Sequence, residues 1–371
     1  MDRLVESLNT ETQRLGRRVS LMEVCGTHTV NACRSGLHSL MPDAVRLLSG
    51  PGCPVCVTAQ RYIDALVRLG KRPEVTLATY GDMIRVAGQG GSLELARSQG
   101  ADVRIVTSTM EAVELARANP DRQVVFAAVG FETTAPATAA SILAAQRDRI
   151  DNYTVLPCHK LVIPAMRTLL DDPQINIDGF LCPGHVSVII GAGVYDEIVD
   201  RYNKPCAVGG FESLQIMECV VALVRQLVAM DSGAKAQNQN LYPEVVTRDG
   251  NTAAKALIDR VFTPGDSAWR ALGIMPDSGL DLHPEFASFD AFVRFGIQLG
   301  EDHEPPGCRC GEVITGRCEP DECKLFGTVC TPIYPVGPCM VSSEGSCQAW
   351  FKYRRTTLST SPGKAKAGSP A

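Results

Sequence analysis

The chain has 371 residues, of which 45% are apolar and 21% charged, with a formal net charge of −5 at pH 7. A chain of this length is expected to form two or three domains. The acidic balance, without basic runs, argues against a nucleic-acid surface. The charged N-terminal segment lacks the apolar core of a signal peptide, and the apolar runs are too short to span a bilayer. We therefore expect a cytoplasmic protein without a membrane segment.

Short runs of β-branched and apolar residues alternate with helical patterns through the first two-thirds of the chain. Strands are predicted at 20–24, 45–49, 75–79, 103–107, 124–129, 179–182 and 206–208. Helices are predicted at 60–69, 93–98, 137–147 and 214–230. This alternation predicts βαβ units and parallel sheets covered by helices.

The predicted fold class is α/β, with two related parallel-sheet domains and a loop- and helix-rich C-terminal domain. The expected boundaries are 15–120, 121–231 and 232–356, followed by a disordered tail at 357–371. Residues 128–132 (A-V-G-F-E) are echoed at 207–212 (A-V-G-G-F-E), each time between a predicted strand and a helix. This echo favours two domains of related topology.

Short motifs follow the predicted strands, at the sheet edge where parallel sheets bind ligands. Cys53 and Cys56 form a C-x-x-C pair that could close a disulfide at a helix N-terminus, although half of a zinc site is an alternative. Cys25 and His28 of C-G-T-H could bind iron, the alternative being a buried cysteine beside a loop histidine. Glu132 of G-F-E-T-T could act as a base or as a structural acceptor.

Seven of the fifteen cysteines lie between residues 308 and 347. Because cytosolic thiols are kept reduced, this density indicates a metal or redox site rather than structural disulfides. A zinc ribbon is disfavoured because no C-x-x-C pair is repeated, and the bacterial ferredoxin run is missing. Irregular spacings suit an iron–sulfur cluster held by loops, with structural zinc plus free thiols as the alternative. Spacing alone does not select the ligands.

Five segments of the chain carry a joint signature: E-V-C-G-T-H-T, G-P-G-C-P-V-C-V, Y-G-D-M-I-R-V, G-F-E-T-T-A-P and C-R-C-G-E-V-I…V-G-P-C-M-V-S-S-E-G-S-C. Together, over residues 21–353, they resemble the HypD family of [NiFe]-hydrogenase maturation factors. The resemblance implies a scaffold with a redox step, rather than a conventional turnover enzyme, that assembles the Fe(CN)2CO unit. The implied partners of a monomeric chain are a HypC-like chaperone and a HypE-like cyanide donor.

The resemblance also implies roles for individual residues. A [4Fe-4S] cluster would be held by Cys308, Cys323, Cys330 and Cys347, making the C-terminal domain an iron–sulfur domain. Cys310 and Cys339 would be a redox-active pair beside it, and Cys318 has no assigned role. The catalytic set would comprise Cys25 as the thiolate that holds Fe(II) carrying CN and CO ligands, the Cys53 and Cys56 pair, and His28 and Glu132 near the iron.

Two other functions stay open at this point. One is a ferredoxin-dependent disulfide reductase that uses the same cluster and dithiols. The other is a non-catalytic interaction module whose C-terminal cysteines hold structural zinc.

Overall fold

Two parallel sheets form the framework of the protein. The computed structural model describes residues 1–354, so the predicted tail at 357–371 lies outside the described residues. The strands of the first sheet are β1 Val19–Glu23, β2 Val45–Ser49, β7 Gly179–Pro183, β8 Cys206–Gly209 and β9 Asn238–Asn240. The strands of the second sheet are β3 Val75–Thr79, β4 Asp102–Ile105, β5 Gln123–Gly130 and β6 Tyr153–His159.

The strand orders are β2-β1-β7-β8-β9 and β4-β3-β5-β6, and every neighbouring pair is parallel. The predicted α/β class and its parallel sheets are confirmed. All seven predicted strands are present, with ends shifted by up to two residues. The strands β6 and β9 were not predicted, because β6 contains a proline and β9 is polar.

Two more strands and sixteen α-helices accompany the sheets in residues 1–354, together with five short 3-10 helices. The strands β10 Phe262–Trp269 and β11 Gly273–Leu282 form an antiparallel hairpin. The helices are α1 Asp2–Leu15, α2 Gly26–Arg34, α3 Pro54–Val57, α4 Gln60–Gly70, α5 Leu93–Ser98, α6 Thr109–Ala118, α7 Ala135–Arg147, α8 Val162–Asp171, α9 Gly184–Ile190, α10 Asp196–Tyr202, α11 Ser213–Asp231, α12 Thr252–Val261, α13 Ala291–Phe295, α14 Cys310–Ile314, α15 Pro338–Val341 and α16 Ser346–Tyr353.

The two sheets share one topology. Counted along the chain, the second strand of each sheet lies on one side of the first strand, and the third lies on the other side. The fourth strand lies next to the third, farther from the first. Two domains of related topology were predicted, and this relation is confirmed. The echoed segments, however, follow β5 and β8, which are the third strand of one sheet and the fourth of the other. The echo therefore marks a similar strand-to-helix junction, not an equivalent position.

The segments of the chain that form each sheet do not follow the expected domain boundary at residue 120. Strands β1 and β2 belong to the same sheet as β7, β8 and β9, whereas β3 to β6 form the other sheet. The chain thus leaves the first sheet after β2, completes the second sheet and returns at β7. The decisive pairing joins Leu21 to Gly179, a contact so distant along the chain that no local pattern encodes it.

The C-terminal region is rich in loops and short helices, as predicted, but it also contains the β10–β11 hairpin. The sequence suggested a loop here, because Pro264, Gly265 and Gly279 lie within the strands and a bulge falls between Gly265 and Ser267. One core runs through both sheets and this region, and it includes Met22, Phe180 and Met340.

Within residues 1–354, α11 is the helix whose length and composition would allow it to cross a membrane. It packs in the protein core instead, against β7, β8 and α1. Its residues Val220, Leu223 and Val224 are completely buried.

A buried lysine lies where the second sheet meets the hairpin. The backbone of Lys160 pairs with Gly279 of β11, and its side chain is completely buried. Its Nζ donates to the Ser267 hydroxyl and lies 4.5 Å from the centre of the Tyr62 ring. Burial lowers the pKa of Lys160 from 10.5 to about 8.

This lysine predicts a specific pH dependence of stability. Because its folded pKa lies below the unfolded value, the charged form costs stability below pH 8, and this cost disappears as the pH rises towards 10.5. The unfolding free energy of the wild type, relative to Lys160→Met, should rise by about 3 kcal/mol over that range. Urea unfolding at a series of pH values measures the difference. The exposed Lys235→Met variant is the control and should keep the wild-type profile. If the stability of Lys160→Met changed with pH as that of the wild type does, the prediction would be wrong.

Candidate functional site

A cleft of about 460 Å³ lies where the carboxyl ends of the two sheets meet. Loops that follow five different strands line it, as expected for parallel sheets, which bind ligands beyond the carboxyl ends of their strands. The lining residues are Cys25, Thr27, Gly52, Pro54, Val55, Tyr80, Gly81, Asp82, Met83, Val129, Gly130, Phe131, Thr133, Thr134, His185, Val186, Ser342, Ser343 and Glu344.

Cys25 occupies the N-cap position of α2 and is buried at the base of this cleft. The loop after β2 lies directly against it, because a Cβ atom at Gly52 would come within 2.3 Å of the Cys25 backbone. The Gly26 amide donates to the Gly52 carbonyl at 3.2 Å. Burial, with the Glu344 carboxylate nearby, raises the pKa of Cys25 to about 11, so the free thiol is protonated at neutral pH.

Cys53 and Cys56 lie beside Cys25 and form a disulfide, with their Cα atoms 5.2 Å apart. Cys53 caps α3, since its sulfur accepts the Cys56 backbone N–H at 3.2 Å. The Cys53 Cβ lies 3.4 Å from the position that a Cβ at Gly26 would take. The structure thus brings together the three N-terminal cysteines that the sequence singled out.

His28 supports the cleft from behind and does not line it. The side chain is completely buried, and its Nε2 donates to the Gly210 carbonyl at 2.9 Å. Burial lowers the pKa of His28 to about 4, which keeps the ring neutral at pH 7. The Phe211 ring lies 4.7 Å from His28 and stacks at 3.9 Å on His185, and it is His185 that lines the cleft.

Glu132 points away from Cys25. One of its carboxylate oxygens accepts the Val162 backbone N–H at 2.9 Å, at the start of α8. Its side chain lines a separate groove, while its neighbours Thr133 and Thr134 line the Cys25 cleft. Burial raises the pKa of Glu132 to about 7. Of the two predicted roles, this contact matches that of a structural acceptor.

A carboxylate to which the sequence analysis gave no role, Glu344, completes the cleft. It accepts a hydrogen bond from the Thr27 hydroxyl at 3.1 Å, and burial raises its pKa. The adjacent Ser343 donates its backbone N–H and its hydroxyl to Asp82, both at 2.9 Å. The sequence signal that could have indicated Glu344 is its position as a charged residue in V-S-S-E-G-S-C, between Cys339 and Cys347.

Six of the seven C-terminal cysteines surround a small apolar cavity, and Cys318 is the one that does not line it. The six are Cys308, Cys310, Cys323, Cys330, Cys339 and Cys347, and the apolar wall comprises Leu325, Phe326 and Met340. A Cβ at Gly337 would come within 2.6 Å of the Cys308 sulfur. Glycine at this position therefore leaves room for the thiols.

Within this cavity the sulfurs of Cys310 and Cys339 lie 2.7 Å apart. Hydrogen bonds from Cys308 and Cys339 hold the pKa of Cys310 well below its usual value. The Cys330 sulfur accepts the Val336 backbone N–H at 3.3 Å. Within residues 1–354, no group of three or more His, Cys, Asp or Glu side chains has an arrangement that could hold a single metal ion.

A family model described as HypD, hydrogenase formation hypA family, matches residues 1–354. The chain belongs to the HypD family. The hydrogenase maturation factor HypD of Escherichia coli (strain K12) is 44% identical to it over 357 residues, which cover 95% of each chain. HypD of Azotobacter vinelandii is 44% identical over 346 residues, covering 91% of this chain and 90% of the relative. HypD of Cupriavidus necator is 42% identical over 350 residues, covering 92% and 91%.

In this HypD-family maturation factor the two cysteine centres adjoin. The helix α3, which Cys53 caps and which contains Cys56, packs against both α14 and α15. Cys310 begins α14, and Cys339 lies in α15. The segment 342–344, which forms one wall of the Cys25 cleft, lies between Cys339 and Cys347 along the chain. The cleft and the C-terminal cavity therefore share structural elements.

The close approach at Gly52 predicts a strong effect of one methyl group. In Gly52→Ala the new Cβ would overlap the Cys25 backbone, so a loop must move, at a cost of about 1–3 kcal/mol in unfolding free energy. Gly81→Ala is the matched control in the same cleft, since its nearest neighbour, the Ile105 side chain, is 3.9 Å away. Denaturant unfolding measures both variants. Equal stabilities would show that Gly52 has no special steric role.

Proposed function

We propose that this protein assembles the Fe(CN)2CO unit of [NiFe]-hydrogenases, with Cys25 holding the iron and the two dithiols relaying electrons. The observation that carries the proposal is the contact of α3 with α14 and α15, because α3 lines the Cys25 cleft and the other two helices contain Cys310 and Cys339. A HypC-like chaperone supplies a second thiolate to the iron, and a HypE-like donor delivers cyanide. The cytoplasm is the expected location, because its thiols are kept reduced.

The Cys25 thiol is expected to lose its proton only when iron binds to it. Its raised pKa keeps the free thiol neutral, and the incoming Fe(II) cargo displaces the proton. The backbone N–H groups of Thr27 and His28 favour the resulting thiolate. Glu344 lies close enough to influence the Cys25 sulfur, and we assign it the role of accepting the displaced proton. A soft thiolate suits an iron that carries strong-field ligands.

The thiols that line the C-terminal cavity are suitable ligands for a [4Fe-4S] cluster. Four thiols, those of Cys308, Cys323, Cys330 and Cys347, face one apolar space, and Gly337 contributes no side chain to it. The Val336 N–H, which already points at the Cys330 sulfur, would stabilise a thiolate ligand. When bound, the cluster would supply single electrons to the neighbouring Cys310 and Cys339 pair.

The dithiols can exchange electrons without any further reactant. One thiolate of the reduced Cys310 and Cys339 pair attacks a sulfur of the Cys53–Cys56 disulfide, whose S–S bond breaks as a mixed disulfide forms. The second sulfur of the attacking pair then closes the Cys310–Cys339 disulfide. Cys53 and Cys56 leave as thiols, so two electrons and two protons move from one pair to the other.

The reduced Cys53 and Cys56 pair can then release cyanide from the HypE-like donor. One thiolate attacks the sulfur that bears cyanide on the donor's cysteine, the S–CN bond breaks, and cyanide passes to the iron at Cys25. The other cysteine resolves the mixed disulfide, which frees the donor's thiol and restores the Cys53–Cys56 disulfide. Each cyanide therefore consumes two electrons.

The iron site predicts a selective loss in Cys25→Ala. The variant should lose iron retention, and with it the cyanide and carbonyl infrared bands, when it is mixed anaerobically with HypC-like and HypE-like partners and Fe(II). The brown colour of the C-terminal cluster should persist. Cys33→Ala is the control, because Cys33 is a buried cysteine within α2 that does not line the cleft. Retained bands in Cys25→Ala would overturn the assignment of the iron site.

The same preparation distinguishes the two other functions. A colourless wild-type protein with stoichiometric zinc and no acid-labile sulfide would favour the interaction module. A coloured protein that reduces thioredoxin but gives no cyanide or carbonyl bands would favour the disulfide reductase.

The relay predicts that Cys339→Ser blocks electron transfer between the pairs. After reduction with dithionite, the wild type should show free thiols at Cys53 and Cys56 by differential alkylation and peptide mass spectrometry. Cys339→Ser should retain the Cys53–Cys56 disulfide, because Cys310 alone cannot complete the exchange. Cys318→Ser should behave as wild type, since Cys318 does not line the cavity. Equal reduction in both variants would exclude the relay.

A further inference from the structure

A buried arginine, Arg270, links the N-terminal disulfide helix to the C-terminal cysteines. It lies in the turn between β10 and β11 and is 2% exposed. Its backbone N–H donates to the Val57 carbonyl at 2.8 Å, and its guanidinium donates to the Thr58 carbonyl at 3.1 Å. Val57 and Thr58 directly follow Cys56 in the sequence. Arg270 is thus tied to the end of α3 by two hydrogen bonds.

The same turn packs against the redox pair of the C-terminal region. A Cβ atom at Gly311, the residue after Cys310, would come within 2.6 Å of the Ala271 Cβ. The sulfurs of Cys310 and Cys339 are both close enough to act electrostatically on the Arg270 guanidinium. Arg270 therefore contacts the end of α3, the helix of the Cys53 and Cys56 pair, and lies beside the Cys310 and Cys339 pair.

The backbone of this turn is held in an unfavourable conformation. Ala271 has φ of 65°, in the left-handed region that a residue with a Cβ atom adopts at a cost of about 1–2 kcal/mol. Such a conformation persists where the surrounding contacts require it. Here the contacts of Arg270 with α3 and of Ala271 with α14 constrain the turn from both sides.

The carboxylate that pairs with Arg270 is partly exposed to solvent. This partner, Glu304 at 2.7 Å, has a side chain that is 41% exposed, so solvent screens the pair. The Arg270 Nε is buried and, within residues 1–354, has no hydrogen-bond acceptor. Burial disfavours the guanidinium cation, and Glu304 together with negative charge on the Cys310 and Cys339 sulfurs offsets this, with the result that the pKa of Arg270 is raised. Disulfide exchange creates such charge at Cys310 and Cys339.

We propose that Arg270 is a positioning residue for electron transfer between the two dithiol pairs. Its backbone and guanidinium hold the end of α3 against the Cys310 and Cys339 pair, and its positive charge stabilises the negative sulfur that forms during exchange. The inference rests on the proposed relay and extends it to a residue outside the cysteine motifs.

The first measurement is the rate of exchange in Arg270→Met, Arg270→Lys and the wild type. Rapid alkylation after dithionite reduction, followed by mass spectrometry, gives the rate at which Cys53 and Cys56 become free. Loss of a charged hydrogen-bond donor in Arg270→Met should slow exchange by about tenfold or more. Arg270→Lys keeps the charge but loses the planar fork, and should be intermediate. Arg309→Met removes a half-exposed charge beside the same cysteines, one that is paired with Glu312, and should match the wild type.

The second measurement is the midpoint potential of the Cys310–Cys339 pair, titrated in a dithiothreitol series with the same labelling. A purely structural role would leave this potential unchanged in folded protein, whereas loss of the cation should make the pair harder to reduce in Arg270→Met and less so in Arg270→Lys. If Arg270→Met does not fold, as judged by circular dichroism, the exchange rate of Arg270→Lys alone decides whether the inference holds.

The outcomes separate this inference from the proposed function. If the wild type exchanges and both Arg270 variants match it in rate and potential, the role of Arg270 is wrong and the relay stands. If the wild type does not exchange, the relay fails, and the potential of Arg270→Met still decides whether the arginine acts on Cys310 and Cys339.

Discussion

The arrangement of the functional centre depends on one close contact between two loops. The backbone at Gly52 lies so near the Cys25 backbone that no side chain fits between them. This contact aligns the N-terminus of α2 with that of α3, and so puts Cys25 beside Cys53, the first residue of the disulfide. The parallel pairing of β1 with β2 brings the loops together, because it ends both strands at the same edge of the sheet.

Burial then determines which groups carry charge. It raises the pKa of the Cys25 thiol and of the Glu344 carboxyl, and it lowers that of His28. In each case burial shifts the pKa in the direction that favours the neutral form, because a low-dielectric interior penalises an isolated charge. Arg270, buried between the two cysteine regions, keeps its positive charge throughout.

Local sequence patterns predicted the elements and motifs of this fold well, and its long-range organisation poorly. The seven strands and the cysteine motifs have local signals, namely β-branched runs and glycine-rich turns. The pairing of Leu21 with Gly179 has none, since a strand's sequence encodes its own burial but not its neighbour. For the same reason the hairpin that positions Arg270 was missed, because its prolines and glycines resemble those of a loop.

The direction of individual side chains was the hardest feature to predict. Glu132 and Thr133 are adjacent in one turn, yet they line different cavities, and their order in the sequence gives no indication of it. Glu344 reaches the cleft from a segment more than 300 residues away from Thr27, to which it is hydrogen-bonded. Residues of this kind become recognisable only when tertiary contacts are known.

The wall formed by residues 342–344 has a consequence for biosynthesis. These residues are among the last of the described chain to be synthesised, and they close a cleft whose base, Cys25, is among the first. A nascent chain therefore exposes Cys25 without the Glu344 carboxylate, and the complete site exists only after the C-terminal cysteines have folded into place. The order of synthesis thus leaves the Cys25 cleft incomplete until late, so that a chain truncated before Ser342 lacks one of its walls.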